Sequence, residues 1–408
     1  MLFARLLERV IREGTLVVTD AAGRIHRIAG GEGPEVAIRL HDKALHTKLA
    51  IRPELYLGEA YMDGTLTVEG GTIHDLLDLC GRNIRHFENH PVNRVFSCLG
   101  RALRDLQQHN PIGHAQRNVA HHYDLSDALY SQFLDNDRQY SCAYFDSGND
   151  SLEVAQEKKK RHLAAKLLLE PGQTVLDIGC GWGGLALYLA QAADVHVVGV
   201  TLSKEQHKVA CERAKAAGLD DRVEFRLQDY REVPERFDRI VSVGMFEHVG
   251  AKHYSEYFEK TKNLLVEDGV FVLHSIGRME RPGATNPWLR KYIFPGGYTP
   301  ALSEALTAIE QVGLWVTDIE ILRLHYAKTI IEWMRRFDDN RDKINMLYDE
   351  RFCRMWEFYL AGCEISFRYL HQMVFQAQIS KALDSVPITR DYIQDWERAH
   401  LGTGTAAE

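Results

Sequence analysis

The run Val175-Leu176-Asp177-Ile178-Gly179-Cys180-Gly181-Trp182-Gly183-Gly184 carries the clearest chemistry in the chain. An apolar strand-like stretch leads into glycines and then into a helix-like stretch, so the backbone can turn sharply and lie close against a ligand. The glycines at 179, 181 and 183 follow a GxGxG spacing, which differs from the GxGxxG of dinucleotide sites. Asp177 stands where methyl-donor enzymes direct a carboxylate toward the amino-acid end of the donor. Gln228-Asp229-Tyr230 follow a later strand-like run, and a side-chain carbonyl or carboxylate there can accept a hydrogen bond from an adenine amino group. These features favour S-adenosylmethionine over a nicotinamide cofactor. Val200-Thr201-Leu202-Ser203 ends the intervening strand without the usual acidic partner for a ribose. Gln206, one helical turn on, reads either as the substitute or as a solvated helix residue.

Other reactive side chains fall at strand ends. Glu247 follows Met245-Phe246, and a carboxylate there is costly to bury without a partner. His274 closes the apolar run Val270–Leu273 and reads as a satisfied core histidine or as an acid–base group. Cys142 reads as an inert core thiol. His114, His121 and His122 match no ligand spacing, so no metal is expected. Tyr123, Tyr144, Phe145, Phe246 and Tyr326 flank these motifs. They are ordinary core aromatics or the lining of a chamber that stabilises a cation, at ~0.5–2 kcal/mol per ring.

The elements that must position these groups change character along the chain. Residues 1–90 read as a compact α+β module with strands at Thr15–Thr19 and Val36–Leu40, and 91–116 read as a linker. From 117 to 398, strand-like and helix-like runs alternate, which indicates a doubly wound, Rossmann-like α/β sheet. Beyond 330 the pattern is helical and aromatic, and Met373–Gln378 reads as a last strand that closes the sheet. Gly277–Pro300, with its prolines and glycines, reads as a mobile insertion and a candidate lid. Lys158–Arg161 reads as a solvated helix face rather than a membrane-binding patch. Residues 1–13 carry Leu2, Leu6, Leu7, Val10 and Ile11 on one helical face with Arg5, Arg9 and Arg12 beside them. That helix either docks on its own domain or touches a membrane surface.

Composition sets outer limits. A net charge of −8 over 408 residues disfavours bulk nucleic-acid binding. Seven scattered cysteines form no CxxC pair, which argues against a disulfide framework. No apolar run reaches the ~18–20 residues of a membrane span, and no signal peptide is legible, so an intracellular protein is expected.

Taken in order and spacing, several segments resemble the cyclopropane fatty acid synthase family, which includes the mycolic acid cyclopropane synthases. They are Asn118–Ser126, Tyr140–Phe145, Asp177–Gly184, Gly199–Ser203, Phe246–Gly250 and His325-Tyr326. Residues 52–79 look like the extra N-terminal domain of the members that act on phospholipid. The resemblance implies a class I S-adenosylmethionine-dependent methyltransferase fold with a smaller α+β N-terminal domain. It implies that Tyr140, Ser141, Gly179, Gly181, Thr201, Leu202, Gln206, Gln228 and Tyr230 contact S-adenosylmethionine, with Asp177 and Asp229 beside them. It further implies that Cys142, Glu247, His274, Ile276 and Tyr326 surround a bicarbonate ion.

The implied reaction adds a methylene to the cis double bond of an unsaturated phospholipid acyl chain and closes a cyclopropane ring. Bicarbonate takes the proton from the cationic intermediate; its proton could pass to His274, or Glu247 could orient the ion through a shared hydrogen bond. A homodimer is implied, in the cytoplasm and peripheral to the inner face of the membrane. Three other readings use parts of the same pattern: a lipid C-methyltransferase with a branched or methylene product, an amine N-methyltransferase, and a non-enzymatic lipid carrier.

Overall fold

A computed structural model describes residues 7–88 and 127–401. The stretch expected as a linker, the motif Asn118–Ser126, and His114, His121 and His122 lie outside the described residues. So do residues 1–6 of the expected N-terminal helix. The chain groups into two compact units. The first takes in the N-terminal residues together with Gly283–Pro295 and Ile330–Gln372. The expectation had assigned those two later segments to a contiguous catalytic domain.

In the first unit, strands β1 (Glu13–Thr19), β2 (Ile25–Ala29), β3 (Gly31–Leu40) and β4 (Leu66–Gly70) form a sheet in the order β2-β1-β3-β4. β1 and β3 run parallel, and the outer pairs are antiparallel. Alternation decides which face is covered: Leu16 and Val18 of β1 and Val36, Ile38 and Leu40 of β3 are buried. They pack with Leu45, Leu49, Ile73, Leu76, Ala361 and Ile365, the leucines and isoleucines each contributing about 1.5–3 kcal/mol through burial. Val10 and Ile11 are buried, and Leu7 packs against the same core. The described part of the N-terminal segment therefore docks on its own unit.

Asn83 ties this unit together. Its Oδ1 accepts from the backbone N–H of Arg12 at 2.7 Å and of Glu13 at 3.0 Å. Its Nδ2 donates to the carbonyls of Glu13 and Leu79, both at 2.9 Å. Asn83→Ala orphans these groups. It is expected to cost about 3 kcal/mol, seen as an earlier unfolding transition in denaturant with the S-adenosylhomocysteine affinity of the folded protein unchanged.

The segment read as a mobile insertion is anchored instead. Its base is pinned where Arg278 N–H donates to the Pro300 carbonyl at 2.9 Å. Its middle forms the Pro287–Tyr292 helix, whose Trp288 is buried against Phe358 in the first unit, with ring centroids 4.7 Å apart. Gly58 leaves the room for that indole, since a Cβ there would overlap it.

The second unit holds a seven-stranded sheet in the order β10-β11-β9-β8-β5-β6-β7. Its strands are β5 (Thr174–Ile178), β6 (His196–Thr201), β7 (Val223–Leu227), β8 (Phe237–Val243), β9 (Leu265–Arg278), β10 (Trp315–Ile321) and β11 (Gln372–Ser380). Strands β5 to β8 pair in parallel, as do β8 and β9. Both faces are covered: Val175, Val197, Val241 and Val272 enter one core, and Leu176, Ile178, Ile240 and Phe271 enter the other. The final strand does join the sheet, but inside it: β11 lies between β9 and the antiparallel β10. β5 pairs with β6 on one side and β8 on the other, so the strand order reverses there and a crevice opens at its carboxyl end.

Candidate active site

That crevice is a cavity lined by every residue read above as cofactor-binding. Tyr140 and Ser141 come from the segment ahead of the Leu152–Leu167 helix. Asp177, Gly179 and Gly181 come from the turn after β5. Thr201, Leu202 and Gln206 follow β6, and Gln228, Asp229 and Tyr230 follow β7. The glycines at 179, 181 and 183 all take positive φ, and a Cβ on Gly183 would strike the Phe225 ring. The loop can turn only with glycine there.

The polar groups fit an amino acid, a ribose and a purine. Asp177 is buried, its Oδ2 has no protein partner, and burial pushes its carboxyl up to about 7. An ammonium group at this position would satisfy it. Gln206 is buried, and its Oε1 accepts from the Thr201 hydroxyl at 3.2 Å. Its amide N–H groups stay available for hydroxyl oxygens. Asp229 is already engaged: Oδ1 accepts from Arg231 N–H and Nε, and Oδ2 from Arg231 Nη2 at 2.6 Å. Its capacity for an adenine amino group is correspondingly reduced, which leaves the neighbouring Gln228 as the better acceptor.

Sequence reasoning missed the groups behind this lining. Lys159 and Lys160 are buried, so the run Lys158–Arg161 is neither a solvated face nor a membrane patch at these two positions. Lys159 Nζ donates to Gln139 Oε1 at 2.5 Å and to Ser141 Oγ at 2.8 Å. Gln156, on the same helix, donates to the Ser141 carbonyl at 3.0 Å, and Lys160 donates to Asp137 at 2.8 Å. One helix face therefore holds residues 137–141 against the cavity. Because an ammonium only donates, the Ser141 hydroxyl must accept from it and keeps its own proton for a ligand acceptor. Burial pushes Lys159 down to about 8, opposed first by the charge of Asp135. Arg138, Gln139, Trp182 and His248 also line the cavity, and burial pushes the His248 imidazole down to about 4.

The second group of expected residues is not among those lining that cavity, although Met245 and His248 on either side of Glu247 are. Glu247 is brought directly to Ile276, whose backbone N–H donates to its Oε1 at 2.6 Å. Glu247 Oε2 is buried without a protein partner, and burial pushes the carboxyl up to about 7. His274 and Ile276 share one face of β9 by the two-residue period. His274 is buried, and its Nδ1 meets Gln376 Nε2 at 3.2 Å. Cys142 is buried, and burial raises its thiol, with the Lys159 charge opposing. Its neighbour Ala143 donates to Thr329 Oγ1 at 3.0 Å, and Phe145 N–H donates to His325 Nδ1 at 3.0 Å. Residues 142–145 thus lie along the start of the His325–Asp339 helix, which carries the buried Tyr326. Tyr144 stacks between His162 and His325 at 4.4 and 4.9 Å, and Phe246 packs on Tyr254 and Tyr257.

A glycine turn at the switch point of this sheet, with a cavity built for an amino acid, a ribose and a purine, defines a class I S-adenosylmethionine-dependent methyltransferase. Solved structures agree in fold. The cyclopropane synthase MmaA2 from Mycobacterium tuberculosis matches with a TM-score of 0.63 at 32% identity, over 67% of this chain and 99% of that one. The mycolic acid cyclopropane synthase CmaA1 complexed with SAH and CTAB matches with a TM-score of 0.62 at 34% identity, over 66% and 99%. A family model described as mycolic acid cyclopropane synthetase matches residues 112–377, and the chain belongs to that family. The cyclopropane-fatty-acyl-phospholipid synthase of Escherichia coli K12 is 39% identical over 353 residues, 85% of this chain and 88% of that one. A probable fatty acid methyltransferase of Pseudomonas putida is 37% identical over 373 residues, 88% and 92%. Residues 3–91 match a separate model described as a domain of unknown function.

Proposed function

We propose that this enzyme transfers a methylene from S-adenosylmethionine to the cis double bond of unsaturated phospholipid acyl chains and closes a cyclopropane ring. S-adenosylmethionine, when bound, supplies an electrophilic methyl group. The cavity residues hold it and exclude water, so an alkene brought against the methyl meets it as a near-unimolecular partner. After transfer the acyl chain carries a cation, and ring closure requires loss of one proton from the new methyl. The observation that carries the reading is Glu247: a buried carboxyl next to the cofactor cavity, held by Ile276 N–H, with one oxygen unpartnered and a pKa of about 7. A group poised near the operating pH can both release and receive a proton.

On this reading Glu247, His274, Tyr326 and Cys142 are the groups that would hold bicarbonate, which when bound supplies a compact oxygen base, while the Ile276 N–H fixes Glu247. The raised Cys142 thiol stays neutral and is no nucleophile. Among the described residues no helix is long and apolar enough to cross a membrane. On this reading the acyl chain leaves the bilayer to reach the site. We assign that contact to a cytoplasmic protein held peripherally at the membrane surface, with residues 1–90 as its lipid-associating part and a homodimer as its assembly. Relatives named for cyclopropane synthesis on phospholipid support this reading.

The test is to incubate unsaturated phospholipid vesicles with the protein and methyl-labelled S-adenosylmethionine, then to examine the lipid by mass spectrometry and proton magnetic resonance. A gain of one CH₂ with upfield ring protons is expected. A labelled branched or olefinic chain would move the chemistry to a lipid C-methyltransferase, and label in added amines alone would overturn the lipid substrate.

A further inference from the structure

Behind His274 lies a polar chain that the cofactor cavity does not use. His274 Nδ1 and Gln376 Nε2 are 3.2 Å apart, and Gln376 Oε1 accepts from Lys166 Nζ at 2.8 Å. All three side chains are buried, Gln376 and Lys166 at 0% exposure. Lys166 is fixed in turn. It donates to Glu320 Oε2 at 2.5 Å, and Glu320 faces Gln376 across the β10–β11 register. His162, one turn earlier on the same helix, meets Glu320 at 2.6 Å and Glu397 at 2.7 Å. Burial works against the Glu320 charge, but the contacts from His162 and Lys166 hold its carboxyl far below the usual range. Burial pulls the Lys166 ammonium down, opposed first by the charge of Glu320, so the group beside Gln376 has an anionic partner in contact.

Each link in this chain has only one possible polarity. A lysine ammonium has donors and no acceptor, so the amide oxygen of Gln376 must face Lys166. The amide nitrogen then faces His274, and it too can only donate. His274 Nδ1 must accept, which leaves its single proton on Nε2.

We propose that Lys166 and Gln376 lock His274 as a neutral imidazole protonated on Nε2, so that it serves the reaction as a hydrogen-bond donor and never as the proton acceptor. A second proton on Nδ1 would collide with the Gln376 N–H. Burial and the charges of Lys159, Lys166 and His162 disfavour the imidazolium further, and Glu320 alone opposes them. The possibility that the ring-closing proton passes to His274 is withdrawn on this reading. His274 instead presents Nε2–H to a bound anion, and Gln376 and Lys166 are positioning residues. The catalytic part rests on the proposed function; the tautomer does not.

The experiment uses the full-length protein labelled with ¹⁵N-histidine, with His274 assigned by His274→Gln, and reads the ring nitrogens by long-range proton–nitrogen correlation. The wild type is expected to show a bare Nδ1 and a protonated Nε2, unchanged between about pH 6 and 8. Gln376→Glu replaces the donor with an acceptor and is expected to draw the proton to Nδ1. In lipid modification it is expected to lower kcat on the order of 10²-fold with the KM for S-adenosylmethionine unchanged. Lys166→Met frees the amide to flip and is expected to give a mixture of tautomers. A protonated Nδ1 or an imidazolium in the wild type would overturn the lock even if the variants failed to fold. So would an unmoved tautomer in a folded Gln376→Glu protein. Because the tautomer is read without lipid, a failed product assay leaves this result standing, and the converse also holds.

Discussion

Glu247→Gln is expected to lower the rate of acyl-chain modification by about 10²–10⁴-fold while making the ligand-free protein more stable above neutral pH. The two effects have one cause. The amide keeps an oxygen for the Ile276 N–H, so the local fold survives, but it can no longer exchange a proton. The wild-type carboxyl is raised by burial from its ordinary 4.5 to about 7. The folded state therefore binds more protons than the unfolded chain between those values, and stability falls as pH rises through that window. The full loss is roughly 3 kcal/mol above pH 8, and the glutamine variant lacks it. Denaturant titrations of both proteins at pH 5 and pH 8 would show parallel midpoints at low pH and divergence at high pH. A variant that stays active, or a wild type with no such slope, would remove Glu247 from the role given to it.

Lys159→Met is expected to weaken S-adenosylhomocysteine binding about 10–100-fold, the size of lost hydrogen bonds to a charged group. Ser141 loses the donor that fixes its hydroxyl, and Gln139 Oε1 loses the ammonium that donates to it. Asp177 also loses the nearby positive charge that holds its pKa down. Its carboxyl then rises above about 7 and is more protonated at neutral pH, where it meets the ligand ammonium less well. Relief of repulsion between Lys159 and that ammonium acts in the opposite direction. It is the weaker effect if the hydrogen bonds dominate. Calorimetry at pH 7 and 8.5 reads the combined effect: the deficit should shrink as Asp177 ionises in the variant and as Lys159 loses its charge in the wild type. Unchanged affinity at both values would show that Lys159 only fills space.

β5 was legible because it is a short apolar run buried on both faces, and β7 because its apolar residues alternate with charged ones. They span Thr174–Ile178 and Val223–Leu227, within the alternating stretch expected from 117 onward. β10 was not seen: Trp315–Ile321 is partly exposed along its length and shows no alternation. β2 is a mostly exposed edge and was missed for the same reason. Asp177, the glycines and Gln228 followed from spacing and strand-end position, whereas Tyr140, Ser141, Thr201 and Leu202 came only with the family resemblance. The buried lysines were missed, because charge was read ahead of periodicity. Leu152, Ala155, Gln156, Lys159, Leu163 and Lys166 recur at three- and four-residue steps and are all buried. That stripe placed both cations on the inward face. Gln376 and Gln378, buried in the middle of an apolar strand, were the other visible sign of an interior polar chain.

The first unit borrows Ala361 and Ile365 of the Glu350–Tyr369 helix for the core that its own sheet begins. Its strands and the Leu45–Ile51 and Ile73–Arg82 helices that pack on them emerge early from the ribosome, yet the surface that receives Ala361 and Ile365 stays uncovered until nearly three hundred further residues have been made. At ~5–20 residues per second that is an exposure on the order of tens of seconds. Newborn chains must cross this interval with a half-built hydrophobic surface, and an N-terminal fragment produced alone would never leave it.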